Sequence, residues 1–221
     1  AYEMAFCDWS SDVCSSDLFD PVHLLHRVEV SGRGVLDGAW TIHSHFRMDG
    51  TWRLSATTQP PRPCRAHTVR AVLATAATTA VGDSLGMLDV VRTADEHRLV
   101  GHLGPDLLGT DWDAERAAAN LATVSGTIGA ALLDQRNLAG LGTIWTAESL
   151  FATRLSPWRP VADIPLPQLT TLARRAQHLL SASLRYPMPS STGDPHRGHE
   201  MYVYNRRRQP CRRCGTPIVT G

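Results

Sequence analysis

The stretch Ala131–Phe151, "ALLDQRNLAGLGTIWTAESLF", decides the fold. Its opening residues carry apolar side chains at helical spacing, "NLAGLG" interrupts that spacing with Gly140 and Gly142, and the spacing resumes at Thr143. Two helices joined by a tight glycine-bearing turn aim the first amides of the second helix outward, where the helix itself offers them no acceptor. Such a terminus is a ready anion site. Periodicity alone favours an ordinary helical hairpin.

Working outward, the downstream text is helical. Asp111 or Asp113 can cap a helix beginning at Ala114, a second helix is expected over Ile128–Arg136, a third starts with Thr143 as its cap, and a fourth runs from about Gln168 to Leu184. The upstream text is β-rich. Turn signals punctuate residues 22–54, and the alternation in "WTIHSHFRM" puts His43 and His45 on one strand face. "HTVRAVLATAATTAVG" (residues 67–82) stays open between helix and strand, because its alanines favour one and its valines and threonines the other. "LGMLDVV" (85–91) and "HRLVGHLG" (97–104), bounded by Gly and Asp, are expected as further strands. The class is α+β multidomain.

A chain of 221 residues, 43% hydrophobic and 19% charged, has an ordinary globular composition. No apolar run nears the roughly 20 residues that span a bilayer. The first residues lack a signal peptide's basic start and apolar core, so a cytoplasmic protein is expected. The net charge of +1 hides a split. Glu3, Asp8, Asp12 and Asp17 stand in residues 1–18 with no basic residue, leaving about +5 on the rest. Arg197, Arg206, Arg207, Arg208, Arg212 and Arg213 follow His196 against the single acid Glu200, which suits either a polyanionic partner or a solvated tail. All 22 basic residues are arginine, which excludes lysine Schiff-base chemistry within these residues. Of five cysteines, only Cys211 and Cys214 form a CxxC pair.

"LLDQRNLAGLG" resembles the helix–two-turn–helix motif of the formamidopyrimidine-DNA glycosylase and endonuclease VIII family, closer to endonuclease VIII. Three further stretches resemble that family in its order: "IHSHFRMDGTW" (42–52), "LVGHLGPDLLGTDWD" (99–113) and "VYNRRRQPCRRCGTPI" (203–218). Four ordered motifs are far more specific than one. The resemblance implies a β-sandwich-like N-terminal domain (19–109), a helix–two-turn–helix DNA-binding domain (110–190) and a partial zinc finger (198–221). It implies a bifunctional base-excision glycosylase and apurinic-site lyase acting on oxidised bases. The partner would be damaged double-stranded DNA in the cleft between the first two domains, with no membrane partner and a monomeric state.

Carried over by position, His45 matches a histidine that contacts the DNA backbone, and Met48 a side chain wedged into the gap left by an extruded base. Thr143 stands where the family commonly has a phosphate-contacting asparagine. Gln135, Arg136 and Asn137 belong to the motif, their side chains serving either DNA or the turn, and Arg207 is expected as a DNA contact. Cys211 and Cys214 match half of a four-cysteine structural zinc site, with a second pair expected roughly 16–20 residues on. His196 and His199 lie upstream as alternative ligands.

The family's nucleophile is an N-terminal proline amine followed by glutamate, whereas this chain reads Ala1-Tyr2-Glu3. Val22 falls where a supporting lysine is usual, so no catalytic residue is assigned and these residues are expected to be inactive. A non-catalytic binder of damaged DNA is the alternative, and contacts to protein or RNA a third. Written back into codons, "CDWSSDVCSSDL" (7–18) matches a common sequencing-library adapter, so residues 1–18 are expected to be foreign to the fold and the family protein cut at both ends.

Overall fold

Strand β2 (Ala39–His45) is the middle strand of a three-stranded antiparallel sheet, between β1 (His23–Glu29) and β6 (Met87–Arg92). A middle strand covered on both faces should not alternate polar and apolar burial. Thr41, Ile42, His43 and Ser44 are accordingly all buried. The second sheet is also antiparallel, with β5 (Thr78–Asp83) between β3 (Thr51–Ala56) and β4 (Val69–Ala74). The open stretch 67–82 is thus resolved as two strands. Phe46, Trp52, Ala80 and Leu85 make the shared core. There the Trp52 indole donates to Ser44 Oγ at 3.1 Å, so the polar tip of a buried aromatic is satisfied across the sheets.

The structure, a computed structural model, describes residues 23–29, 39–46, 49–56, 58, 67–74, 77–110, 112–186 and 188–219. Residues 1–18, Val22, Met48 and Asp111 lie outside the described residues.

"HRLV", expected as a strand, is a single helical turn, α1 (His97–Val100). Two consecutive amides, Leu99 and Val100, donate to the Glu96 carbonyl, and Asp95 pairs with Arg98 one turn on. Local bonds of this kind outcompete strand pairing in so short an apolar run.

Two compact units divide between His102 and Leu103, rather than near residue 109. The second is helical: α2 (Ala114–Ala122), α3 (Ile128–Leu133), α4 (Thr143–Thr153) and α5 (Leu166–Ser183). Asp113 caps α2 as expected, accepting from the Arg116 amide at 3.0 Å. In α5, Leu169, Leu172, Ala173, Ala176, Leu179 and Leu180 repeat at three- and four-residue spacing and are buried against α2 and α4. Helix α2 presents Ala114, Ala117 and Ala118, small side chains that let helices approach closely, together with the larger Leu121.

Helix α3 ends at Leu133, three residues short of expectation. Asp134 leaves the helical region at φ −79°, ψ 104°, and its carboxylate accepts from the Arg136 amide, a local bond that favours a turn over another helical step. Helix α4 is capped by Gly142 and not by Thr143, which is its first helical residue.

Candidate nucleic-acid interface

The turn between α3 and α4 is built by its own polar side chains. Gln135 bridges it: Nε2 donates to the Leu141 carbonyl at 2.8 Å and to that of Leu133 at 3.3 Å, while Oε1 accepts from the Gly140 amide at 2.8 Å. Asn137 is buried and donates to the Ala131 carbonyl at 2.8 Å, and the Asn137 carbonyl accepts from the Asn120 amide group. Of the two roles open to Gln135 and Asn137, the observed bonds are those of the turn. Gly140, at φ +89°, supplies a left-handed step that other residues seldom adopt.

A second layer braces the turn from Leu103 to Leu107. The Gly104 amide donates to the Gln135 carbonyl, Ala139 donates to Pro105, and Leu107 donates to Ala139. A Cβ on Gly104 would lie 2.5 Å from the Asn137 carbonyl carbon and oxygen, so only glycine fits. This explains why the domain boundary falls before Leu103.

The product is an α4 N-terminus whose first intrahelical bond is Thr146 to Gly142. Amides earlier in the helix have no acceptor within it, and the helix dipole adds positive potential there. Thr143 is exposed at this end. Asp134 and Arg136 form a fork-shaped pair at 2.6–3.1 Å, in which the Arg136 side-chain bonds hold the carboxyl below its ordinary range. Arg136 thereby neutralises the acid that lies in the turn.

The arginine-rich tail divides into two sets. Arg206 is buried and staples its own turn: it donates to the Tyr202 carbonyl at 2.6 Å, to the Pro210 carbonyl at 2.9 Å and to Gln209 Oε1 at 3.1 Å. Arg212 holds the Met201 and Gly198 carbonyls. Arg213 donates to the Phe151 carbonyl and lies 4.1 Å over the Phe151 ring. Arg207 and Arg208 project their side chains into solvent. Thr143, Asn205 and Arg207 are among the residues lining one cavity of about 920 Å³, whose other walls are mainly apolar and include Phe151, Trp158 and Val203.

Cys211 and Cys214 sit in a hairpin closed by Arg208 to Ile218 and by Cys211 to Thr216. The Cys211 carbonyl accepts from Gly215, and its sulfur accepts from the Arg213 amide at 3.4 Å. Bonds from Thr216, side chain first and then backbone, lower the Cys214 thiol below its ordinary range, with further help from Cys211 and Arg213. Amide-to-sulfur bonding and an acidified thiol fit one half of a thiolate metal site. Among the described residues no third His, Cys, Asp or Glu joins them. His196 and His199 pair instead with Asp194, at 2.6 and 3.2 Å.

In the N-terminal unit, His45 ends β2 half-buried, its carbonyl accepting from Gly86, while His43 is buried against Asp89 at 3.4 Å.

One buried group belongs to no sequence motif. Glu148 is fully buried in α4 and takes four donors: Ser191 Oγ and the Tyr202 amide on Oε2, and the Val203 and Tyr204 amides on Oε1, all within 2.5–3.0 Å. The available signal was its position three residues after buried Trp145, which puts a carboxylate on the core-facing side of the helix.

Residues 103–192 match the family model described as the formamidopyrimidine-DNA glycosylase H2TH domain. The chain is 47% identical over 197 residues to "Probable endonuclease 8 2" of Streptomyces coelicolor, covering 89% of this chain and 68% of that protein. It is 39% identical over 197 residues to "DNA-(apurinic or apyrimidinic site) lyase Nei2" of Mycolicibacterium smegmatis, covering 87% and 75%. The chain belongs to the formamidopyrimidine-DNA glycosylase and endonuclease VIII family. Within the family it stands nearer endonuclease VIII, since the formamidopyrimidine-DNA glycosylase of Salmonella paratyphi C matches at 33% over 130 residues.

The fold is likewise that of the family. A Lactococcus lactis formamidopyrimidine-DNA glycosylase, solved non-covalently bound to DNA containing an AP site, superposes with a TM-score of 0.69 at 20% identity, over 91% of this chain and 74% of that one. The Thermus thermophilus glycosylase superposes with a TM-score of 0.65 at 26% identity, over 91% and 75%. Among the described residues, no helix is long and apolar enough to cross a membrane.

Proposed function

We propose that this family member acts in base-excision repair on damaged double-stranded DNA, and that these 221 residues by themselves hold a lesion-bearing duplex without cutting it. The observation that carries the reading is that the α4 N-terminus at Thr143 and the exposed Arg207 line the same cavity, which brings a helix N-terminus and a cation to one surface region. His45, and Met48 outside the described residues, are the DNA contacts that the family resemblance assigns to the β-rich unit. The names of the relatives, an endonuclease 8 and an apurinic-site lyase, support the substrate class. No lysine is present among these residues to form a Schiff base.

Zinc belongs to this reading as a structural ion. Cys211 and Cys214 would hold it from one knuckle, and two further ligands must come from outside the described residues. The protein would work as a cytoplasmic monomer.

Binding and incision assays test the proposal together, on duplexes carrying an abasic site, an oxidised pyrimidine or no lesion. The expected result is preferential, salt-sensitive binding of the abasic duplex with no nicking. Equal affinity for undamaged duplex or for RNA overturns the lesion-binding role, and specific strand cleavage overturns the inactivity.

A further inference from the structure

From the buried carboxylate of Glu148 we infer a positioning residue: it fixes the phosphate-facing arginine turn to the same helix that presents the anion-binding terminus. The inference rests on the DNA-binding reading above and adds the device that aligns its two halves.

The chain of contacts is continuous. Helix α4 begins at Thr143, and Glu148 follows five residues on, about 7.5 Å along the axis. Its two oxygens take the amides of three consecutive residues, Tyr202, Val203 and Tyr204, and the hydroxyl of Ser191. The other side of that peptide run is held by Arg206, whose amide bonds the Val203 carbonyl and whose guanidinium bonds that of Tyr202. Between and beyond these anchors the backbone makes two left-handed steps, Asn205 at φ 55° and Arg208 at φ 64°. Steps of this kind are unfavourable for an arginine and persist only where neighbours hold them. Arg207 lies between them, so its direction is set by the clamp.

A purely packing role could be filled by any side chain of similar shape. The donor pattern demands more. In Glu148→Gln, turning the amide nitrogen toward Val203 and Tyr204 opposes two backbone N–H groups. Turning it toward Ser191 and Tyr202 opposes one, since a hydroxyl can reverse its role while a backbone amide cannot. Neither orientation keeps all four bonds, although the volume is unchanged.

The test combines two readouts on the full 221-residue chain. In Glu148→Gln, trypsin cleavage within Arg206–Arg208 is expected to quicken about tenfold at unchanged helical circular dichroism, because the turn opens more often. Affinity for an abasic duplex should fall about tenfold, and the salt dependence should shallow by about one unit, as for loss of one phosphate contact. Arg207→Ala in the wild-type background should give the same change of slope, and in the Glu148→Gln background almost none. Ser191→Ala removes one donor of four, so it should shift both readouts less and in the same direction, which keeps the test available if Glu148→Gln does not fold.

Unchanged trypsin cleavage in both variants overturns the clamp. Faster cleavage with additive effects of Glu148→Gln and Arg207→Ala on binding overturns its link to phosphate contact. A wild-type chain that ignores abasic DNA refutes the function proposed above and with it the phosphate half of this inference, while the cleavage rates still decide the clamp.

Discussion

Replacing Gln135 by alanine separates a residue that builds the DNA-facing turn from one that touches DNA. The side chain makes bonds at 2.8 Å to the Leu141 carbonyl and from the Gly140 amide, and a longer one at 3.3 Å to Leu133. Two well-formed neutral bonds are worth about 0.5–1.5 kcal/mol each, and the half-buried Gly140 amide, stripped of its acceptor, adds part of a desolvation cost of about 1–3 kcal/mol. The loss should therefore be about 2–3 kcal/mol. Urea unfolding followed by helical circular dichroism measures it. At a typical slope of about 1–3 kcal/mol per molar for a small unit, the midpoint drops by about 1 M with the slope unchanged. Abasic-duplex affinity, measured where the variant remains folded, should weaken by less than about threefold, a change below 1 kcal/mol. The opposite pattern, a stability change under about 0.5 kcal/mol with a tenfold or greater loss of affinity, would refute the reasoning and return Gln135 to the set of direct contacts.

Gly104→Ala should destabilise the helical unit by about 2 kcal/mol or more, because its Cβ meets the Asn137 backbone, and the same urea titration reads the effect. Arg206→Ala should loosen the hairpin, seen as faster hydrogen exchange over residues 202–210, since three of its bonds disappear at once. Arg207→Ala should leave thermal stability within about 0.5 kcal/mol and lower the salt slope of DNA binding by about one. Cys214 should react with iodoacetamide at a lower pH than an ordinary thiol, since only the thiolate attacks; Thr216→Val, which removes the first cause of its acidity, should move that pH upward.

Much of this architecture is written locally. The glycines of "NLAGLG" and the cap at Asp113 place the helices because turn and cap chemistry act over three or four residues. Where the reading missed, a non-local or competing bond decided. The stop at Leu133 depends on Asp134 capturing the Arg136 amide, a choice that helical periodicity does not register. "HRLV" has a strand-like composition but forms a single helical turn, five residues after strand β6 ends at Arg92. The brace of Leu103–Leu107 against the turn pairs residues about 30 positions apart, so it left no periodic trace. Glu148 was hidden for the same reason, because its four donors lie 43–56 residues downstream.

The site therefore divides the labour differently from its motif. In "DQRN" the carboxylate, the guanidinium and both amides are engaged with one another or with nearby carbonyls and amides, and the three lowest-numbered amides of α4 are what the helix leaves over. A surface made of backbone donors depends little on the side chain beside it, which here is that of Thr143. It is more sensitive to the buried polar groups behind it, Asn137 and Glu148, since each holds backbone at more than one point or from within the core. On this physical basis, substitution at buried Asn137 or Glu148 should harm the interface more than substitution at Thr143, even though Thr143 is the exposed residue.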